Sequence, residues 1–485
     1  MKRTFIFLFF LSFYHLQAEL LKEFDANGLV KSERNYIKKV LREERFYLNG
    51  KKHGFFKVYF PSGKVQSESS YKKDKLDGLS NTYFKNGRLR TKEYYIENNE
   101  QGTFKKYNKV GILLSEKNYK LGEKDGFFKK YFKSGELKSE KNYKKNLPEG
   151  KFLTFDRKGK LLIEEIYKDG NLVSEKYFIN ALKSGTYKDY YPNGKIKREY
   201  TYRKGLLEGP SNEYYASGTL MAEKNYSKGE KHGPFSNYYE NGTLLASIVY
   251  KMGKVKSEKY YKQGLKHGVF RDYYESGNIL SEISYVDDKK EGSEHSYFKD
   301  GQLQTEKSFA NGIQKGTFEK YFMSGDIQFR SYYLNGLQDG VAKEYYENGQ
   351  LKYAVMLKDN KREGLYKEYR DTGELLQTHN YKENMKQGLS EKYFQSGNIA
   401  QEYNYKKDHL DGDIKEYHEI GTLASKSTYE DGKLHGELKK YYSSGLLKME
   451  ITFNKGQAIV GATYLEHGTK KELTHAHFNN MGYAF

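Results

Sequence analysis

The chain repeats one pattern of apolar and polar positions every 24 residues. Residues 54–77 (GFFKVYFPSGKVQSESSYKKDKLD) and 126–149 (GFFKKYFKSGELKSEKNYKKNLPE) align over their whole length. A period of this size is typical of arrays in which one small structural motif stacks on the next. The pattern is centred on a turn glycine, which recurs at 63, 87, 111, 135, 159, 194, 218, 242, 277, 301, 325, 349, 373, 397, 421 and 445, with a more divergent repeat around Gly28.

Each repeat predicts a β-hairpin. Counting positions from the turn glycine, an aromatic residue stands at −4, an aliphatic residue at +2 and a second aromatic at +8, as in Tyr59, Val65 and Tyr71. The apolar positions after the glycine lie an even number apart, which is the period of a strand. Ser-Gly and Asn-Gly pairs separate the segment before the turn glycine from the segment after it, and they tolerate the positive φ angles of tight hairpin turns.

The repeats together predict an all-β chain, an elongated antiparallel β-meander or solenoid-like array of 24-residue β-hairpin repeats. A lone hairpin is marginal in water, so stacking is needed to bury the Tyr/Leu/Tyr stripe formed by positions −4, +2 and +8. We therefore expect that stripe to form the core along one face of the array.

Three places break the period. Between Gly28 and Gly63, Gly159 and Gly194, and Gly242 and Gly277 the spacing is 35 residues, an excess of 35 − 24 = 11. The excess segments are residues 40–50, 171–181 and 254–264. Each predicts one extra strand plus a turn, which would reverse the side of all later turns and divide the array into blocks of five, three and eight repeats.

The ends of the chain differ from the array. Lys2 and Arg3 precede an apolar run from Phe5 to Tyr14, a pattern typical of a signal peptide spanning residues 1–18 and cut after Ala18. Residues 19–453 hold about 17 repeats, and residues 454–485 are expected to be a degenerate cap or tail. We expect an exported protein, located in the periplasm, at the cell surface or in the medium.

Composition excludes several kinds of chemistry. The chain has no cysteine, so it has no disulfide, no thiolate nucleophile and no Cys-ligated metal. Its net charge of +20 arises from Lys and Arg interleaved with Glu and Asp, which is typical of a solvated surface that favours acidic partners. Nucleic-acid binding is not expected, because the charge is mixed and export removes the usual target.

No catalytic or cofactor motif is present, so we expect neither an enzyme nor a cofactor. Each repeat has a second glycine at its other turn, for example Gly54, Gly78 and Gly126. The residue before it is His at 53, 232, 267 and 435 and Asp or Glu in other repeats, so the turn needs a polar residue there. Glutamates at +5, among them Glu68, Glu116, Glu140, Glu164, Glu199, Glu223, Glu282 and Glu306, are expected to form a charge ladder with neighbouring lysines. His475 and His477 would lie on one face of a strand. A zinc site there is one interpretation and an end cap is the other.

The second aromatic residue of the Tyr-Tyr or Tyr-Phe pairs, at position −3, is the candidate binding surface. Strand alternation is expected to point it away from the stripe, beside lysines. The set is Phe60, Phe84, Phe132, Tyr191, Tyr215, Tyr239, Tyr274, Phe298, Phe322, Tyr346, Phe394 and Tyr442.

Segments such as YYESGNILSEISYVDDKKEG (273–292) and YYPNGKIKREYTYRKGLLEG (190–209) resemble the MORN repeat family, in its bacterial YwqK-type, antitoxin-like variant. The resemblance covers residues 28–453. It implies a β-meander that binds partners or membranes and carries no catalytic motif. The first functional hypothesis is an exported scaffold for multivalent binding of a protein, a glycan or an anionic membrane surface at the cell envelope. The alternative is an antitoxin or immunity protein that neutralises a cognate toxin.

Overall fold

The structure, a computed structural model, describes residues 18–484. Apart from Ala18, the predicted signal peptide lies outside them. The chain divides into an N-terminal half, Met1–Thr243, and a C-terminal half, Leu244–Phe485. In each half consecutive strands pair antiparallel, so the prediction of an all-β meander of hairpin repeats is confirmed.

In the N-terminal half, consecutive strands are joined by two kinds of turn, described below. They are β1 Ala18–Phe24, β2 Val30–Ile37, β3 Val40–Leu48, β4 Lys51–Lys52, β5 Gly54–Tyr59, β6 Val65–Lys72, β7 Lys75–Tyr83, β8 Leu89–Ile96, β9 Asn99–Glu100, β10 Gly102–Tyr107, β11 Leu113–Lys120, β12 Glu123–Tyr131, β13 Leu137–Lys144, β14 Leu147–Pro148, β15 Gly150–Phe155, β16 Leu161–Lys168, β17 Asn171–Ile179, β18 Leu182–Lys183, β19 Gly185–Tyr190, β20 Ile196–Arg203, β21 Leu206–Tyr214, β22 Leu220–Ser227, β23 Glu230–Lys231 and β24 Gly233–Tyr238.

The C-terminal half continues the same alternation and ends in a short helix. Its elements are β25 Leu244–Lys251, β26 Lys254–Lys262, β27 Leu265–Lys266, β28 Gly268–Tyr273, β29 Ile279–Val286, β30 Lys289–Tyr297, β31 Leu303–Ala310, β32 Ile313–Gln314, β33 Gly316–Tyr321, β34 Ile327–Leu334, β35 Leu337–Gln338, β36 Gly340–Tyr345, β37 Leu351–Lys358, β38 Lys361–Tyr369, β39 Leu375–Lys382, β40 Met385–Tyr393, β41 Ile399–Lys406, β42 His409–Leu410, β43 Gly412–Tyr417, β44 Leu423–Glu430, β45 Lys433–Tyr441, β46 Leu447–Asn454, β47 Gln457–Tyr464, β48 Lys470–Glu472 and α1 His475–Asn480.

Two turns close each repeat, as the repeat of Gly63 illustrates. At the first turn, the Gly63 N–H donates to the carbonyl of Phe60 at 2.8 Å, and Gly63 has φ +83°. At the second, Lys73 and Asp74 have φ of 51° and 67°, the left-handed conformation of a two-residue hairpin turn. The Asp74 carboxylate also accepts the Lys52 N–H from the preceding second turn at 2.8 Å. Successive turns are therefore hydrogen-bonded to one another as well as to their own strands.

Each 11-residue excess forms one strand plus a turn, as the sequence predicts. The extra strands are β3, β17 and β26, which we call the joints. The joint β26 pairs with β25 on one side and with β28 on the other. Neighbouring strands of a meander run in opposite directions. One added strand therefore makes each later strand run opposite to the equivalent strand of the repeats before the joint. The first turns before and after a joint consequently lie at opposite edges of the sheet.

A joint also exchanges the two faces of the sheet. Between ordinary repeats, position +5 pairs with −6 and +6 pairs with −7, as in Glu68–Asn81 and Ser69–Ser80. Across the third joint, Ile248 at +6 pairs with Glu258, which pairs with Arg271 at −6. Directly paired residues point to the same face, so positions that lay on opposite faces before the joint share a face across it.

The other two joints show the same register. The chains of pairing are Arg34–Glu44–Lys57 and Glu165–Glu175–Lys188. The physical reason is that a sheet of L-residues can be turned over but not mirrored. The repeats after a joint are related to those before it by a rotation of about 180° around the axis that runs across the strands. This rotation reverses the strand direction and exchanges the two faces.

The core row is not the stripe expected from the sequence. Aromatic rings at −7 and +8 pack against each other, and in the N-terminal half seven of them form one row from Tyr95 to Tyr167, with neighbouring centroids 4.5–5.3 Å apart. Phe152 at −7 is 4% exposed and Tyr187 at the same position 1%. The tyrosines at −4 lie on the other face, because they are three residues from −7 along the same strand. Tyr −4 and Tyr +8 were therefore wrongly placed on one face.

Residues 454–484 first continue the meander with one more hairpin and then cover its end with a helix. Strand β47 pairs with β46, and the Gly468 N–H donates to Leu465 as in a first turn. The period expected to end at 453 thus persists for one more hairpin, 23 residues after Gly445. The helix α1 then buries Phe478 against the aromatic side chains and aliphatic residues of the last repeats, among them Leu438, Ile451 and Phe453.

Candidate binding surface

Each repeat presents two chemically different faces. We call positions −7, −5, +4, +6 and +8 the aromatic face and positions −8, −6, +5 and +7 the ladder face. In the repeat of Gly63, Phe56 pairs with Ser69 on the aromatic face, while Lys57 pairs with Glu68 on the ladder face. The joints turn these faces over, so within the N-terminal half the ladder face of the five-repeat block and that of the three-repeat block point to opposite sides.

The expected charge ladder is present on the ladder face. The cation at −6 lies opposite the glutamate at +5: Lys105 Nζ is 3.3 Å from Glu116, Lys129 Nζ 3.0 Å from Glu140, and Lys415 Nζ 2.8 Å from Glu402. These side chains are partly exposed, so each pair contributes at most about 1 kcal/mol to stability. Their main effect is to cover the face with fixed, alternating charge.

Tyrosines at −4 tie neighbouring repeats together through this ladder. The Tyr83 hydroxyl donates to Glu68 of the preceding repeat at 2.6 Å, and Tyr190 and Tyr273 donate in the same way to the joint residues Glu175 and Glu258. The hydrogen bond from Tyr83 lowers the pKa of Glu68. Burial, reinforced by the carboxylate, raises the pKa of Tyr83 to about 12. Both shifts favour the tyrosine as donor and the carboxylate as acceptor.

These tyrosines predict a loss of stability in alkali. The pKa values of Tyr83, Tyr190 and Tyr273 are raised to about 12 from the ordinary tyrosine value of 10.0. Because the folded state prefers the neutral phenol, this stabilisation is complete below about pH 10 and is lost as the pH rises through about 12. We expect the melting temperature to fall between these pH values, in step with tyrosinate absorbance.

The matched control separates tyrosines from lysines, which titrate in the same range. A variant with Tyr83→Phe, Tyr190→Phe and Tyr273→Phe keeps the rings and removes the three hydroxyls. Its melting temperature should fall less steeply between pH 10 and pH 12 than that of the parent protein. An identical alkaline slope in both proteins would show that the phenols do not carry the effect.

The twelve aromatic residues at −3 begin the first turns and are half-buried. In the N-terminal half, the Tyr191 and Tyr215 hydroxyls donate to the carbonyls of Tyr214 and Tyr238 in the next repeat, at 2.7 and 2.8 Å. A cation at +3 covers several of these rings, as Lys138 covers Phe132 with its Nζ 5.7 Å from the centroid. Their contacts therefore connect successive repeats. Ligand binding by this set, Phe60, Phe84, Phe132, Tyr191, Tyr215, Tyr239, Tyr274, Phe298, Phe322, Tyr346, Phe394 and Tyr442, stays a prediction.

The polar residue before the second glycine has a structural task. Glu149 and Glu208 at this position accept the main-chain N–H twenty residues later, at 2.9 and 2.8 Å, and the His435 imidazole is placed to accept the Lys455 N–H at 3.5 Å. This position therefore requires a side chain that can accept a hydrogen bond from a main-chain N–H of the next second turn. This explains why His, Asp and Glu exchange there.

The tail histidines do not lie on a strand. His475 and His477 belong to α1, where residues two apart point to nearly opposite sides, so the expected shared strand face was wrong. The His477 Nδ1 accepts the Thr474 N–H at 3.0 Å. Across residues 18–484 no group of three or more His, Asp or Glu side chains is placed to hold a metal ion.

Exposed apolar side chains occupy positions −8 and +7 of the ladder face, a feature that the repeat pattern had not suggested. Phe55 and Phe127 at −8 are 52% and 47% exposed. Further such residues cluster in the C-terminal half, where they are Tyr332, Val341, Met356, Leu365 and Leu389, each 40–45% exposed. The signal that could have found this cluster is the loss of glutamate at +5 in three successive repeats, which carry Arg330, Ala354 and Thr378 instead.

The repeats match a known sequence family. The model of the MORN repeat variant matches eleven segments of the chain, which are residues 52–73, 124–145, 148–169, 183–204, 207–228, 231–252, 266–287, 338–359, 362–383, 386–407 and 434–455. The chain belongs to the MORN repeat variant family. Each match begins near a second turn and ends at the next one, so the family's repeat coincides with the hairpin seen here. No curated protein matches the chain.

The MORN array also aligns with larger proteins of known structure. One is the Photorhabdus luminescens Tc holotoxin pore with a mutated TccC3 component, at 12% identity and a TM-score of 0.13, covering 94% of this chain and 27% of that one. Another is the TcdB2-TccC3 complex, at 12% identity and a TM-score of 0.12, covering 96% and 29%. The chain thus spans less than a third of the length of these proteins. TM-scores this low carry no conclusion about function.

The matched MORN repeats lie between residues 52 and 455 of the chain. None of the helices within residues 18–484 has the length and apolar character needed to cross a membrane. The ladder face, with its charge ladder and its exposed apolar edge, is one surface that the repeats present at regular intervals.

Proposed function

We propose that this protein is an exported, non-catalytic repeat scaffold that binds a partner at the cell envelope through many similar contacts. The observation that carries the proposal is the repetition of the ladder face. Equivalent side chains recur every second strand, which is a spacing of about 10 Å. A partner with its own repeat, whether a protein, a glycan or an anionic surface, gains avidity from such an array.

The face exchange at the joints supports a scaffold. In the N-terminal half, the five-repeat and three-repeat blocks present their ladder faces to opposite sides of the sheet. A partner bound to one block would leave the other block's ladder face accessible. Export is supported by the signal-peptide pattern of Lys2, Arg3 and the apolar run that follows. N-terminal sequencing of the protein from an exported fraction tests this part, with a start after Ala18 as the expected result.

The binding test removes ladder cations one at a time from the full chain. Lys57→Gln, Lys105→Gln and Lys129→Gln are combined stepwise, and binding of the labelled protein to the envelope fraction of its source cells is measured. Multivalent contact predicts that each step weakens binding by a similar factor, because each repeat contributes one contact of similar strength.

The control variants are Lys106→Gln and Lys130→Gln, which change exposed lysines at −5 on the aromatic face and should leave binding unchanged. Abrupt loss of binding at one substitution would contradict multivalent contact. If that single contact were made with one captured toxin, the antitoxin hypothesis would replace it.

A further inference from the structure

In the C-terminal half, the three successive repeats of Gly325, Gly349 and Gly373 lack the ladder glutamate at +5. From β33 to β40 the cross-strand row of positions −6 and +5 reads Glu319, Arg330, Lys343, Ala354, Lys367, Thr378 and Glu391. Arg330 is paired with Glu319 at 2.6 Å. Lys343 and Lys367 are exposed, and within residues 18–484 no carboxylate lies within ion-pair distance of either. Two unneutralised cations thus flank Ala354.

An apolar strip runs beside these lysines on the same face. It consists of Tyr332, Val341, Met356, Leu365 and Leu389, on β34, β36, β37, β38 and β40. At its centre Val341, Ala354, Met356, Leu365 and Lys367 line a shallow depression of about 480 Å³. The unpaired lysines and the strip from Tyr332 to Leu365 therefore form one continuous surface, and Leu389 lies beyond one polar residue, Asn380 on β39.

The direction of the apolar strip restricts what can cover it. The strip crosses the strands instead of following one, and its five strand spacings extend about 24 Å. A peptide lying parallel to the strands would touch only one or two of its residues. An α-helix lying across the strands meets a new strand every 4.8 Å or so, which is close to its own pitch of about 5.4 Å. About 16 residues of helix would cover the strip.

The two unpaired lysines indicate which side chains the helix should carry beside its apolar face. Lys343 and Lys367 lie two strands apart, about 10 Å, which matches the rise of about 10.5 Å between helix residues i and i+7. Carboxylates with this spacing would reach both ammonium groups. We propose that the apolar strip is the docking site for an amphipathic helix of a partner protein whose apolar face is flanked by acidic residues. The site goes beyond the repeated contacts proposed above and rests on them only in assuming that the chain binds partners.

Other occupants fit the charges less well. A second copy of the chain, placed on a two-fold axis at Ala354, would bring Lys343 against the partner's Lys367. An anionic membrane would meet Glu391 and Glu402, which pair directly with each other at one end of the strip, and Glu363, which lines the depression. A helix can place its carboxylates at the lysines alone.

The test uses the full chain and a labelled 18-residue helical peptide with leucines on one face and glutamates at i and i+7 along its flank. We expect binding that weakens about tenfold or more with Lys343→Glu combined with Lys367→Glu, because two attractions become repulsions. The control pair, Lys320→Glu with Lys392→Glu, makes the same charge change at exposed −5 positions of the aromatic face and should bind like the parent. A peptide with lysines for glutamates should bind the Lys343→Glu, Lys367→Glu variant and not the parent.

A second pair of variants tests the apolar contact. Leu365→Ser with Leu389→Ser should also weaken peptide binding, whereas Leu206→Ser, at an exposed leucine in the N-terminal half, should not. Equal binding by all variants, or no binding of the acidic peptide, overturns the proposal. So does Lys343-dependent binding to vesicles of phosphatidylcholine and phosphatidylglycerol without peptide binding, or dimerisation that is lost in the lysine variant. These probes do not involve the lysines of the five-repeat block, so failure here is distinguishable from failure of the scaffold proposal.

Discussion

Replacing Phe152 by alanine is expected to lower the free energy of unfolding around residues 137–168 by about 3–5 kcal/mol. The ring is 4% exposed and lies between Tyr143 and Tyr167, with centroids 5.3 and 4.5 Å away. The Lys141 Nζ covers it at 4.9 Å. A single sheet has no second layer of side chains to refill the space, so both neighbouring rings lose contact area. Denaturant titration, with hydrogen exchange resolved by segment, measures the effect.

Phe127→Ala is the matched control, because it removes the same side chain at position −8, where the ring is 47% exposed. The Lys129 Nζ lies 5.3 Å from the centroid of this ring. We expect a loss below about 1 kcal/mol. Comparable losses for the two variants would contradict the assignment of the core to position −7. Because stability in a repeat array depends on neighbouring repeats, exchange should increase most near the substitution.

Deleting residues 254–264 is expected to abolish the third joint and to pair β25 directly with β28 in the register of an ordinary repeat. The spacing from Gly242 to Gly277 becomes 24 residues, and Ser247 at +5 should then pair directly with Arg271 at −6, as Glu68 pairs with Asn81. In the intact chain these two residues are separated by β26 and lie about 10 Å apart. Cysteines at 247 and 271 should therefore form a disulfide in the deletion variant and not in the intact chain.

The chain contains no cysteine, so the introduced pair reports without background. Cysteines at 247 and 259 in the intact chain form the positive control, because Ser247 and Lys259 are direct cross-strand partners. Formation of the 247–271 disulfide in the intact chain would show that β26 is not inserted between the two strands. Its absence in a folded deletion variant would show that the joint does not determine the register of the following repeats.

The strand-and-turn order followed from local signals that the sequence carries by itself. The 24-residue period, the turn glycine and the aromatic residues at −4 and +8 predicted the hairpins. The three 11-residue excesses predicted the joints, including the single strand formed by residues 254–262. These features depend on strand alternation and on turn conformations, which involve residues close in sequence.

Only the tertiary structure decided which residues are buried and which are presented. Position −7 forms the core although its identity changes among Phe, Tyr, Ile, Leu, Ala, Ser and Glu, because burial there comes from cross-strand rings and not from its own side chain. The tyrosines at −4 repeat more strictly than position −7, yet they lie on the ladder face, where their hydroxyls donate to glutamates fifteen residues earlier. The face exchange, the helix that covers Leu438 and Ile451, and the apolar strip beside Lys343 and Lys367 also depend on pairing between strands. Sequence thus determined the order of strands and turns, while contacts across the sheet determined its two faces, because a side chain's exposure depends on neighbours that its own repeat does not contain.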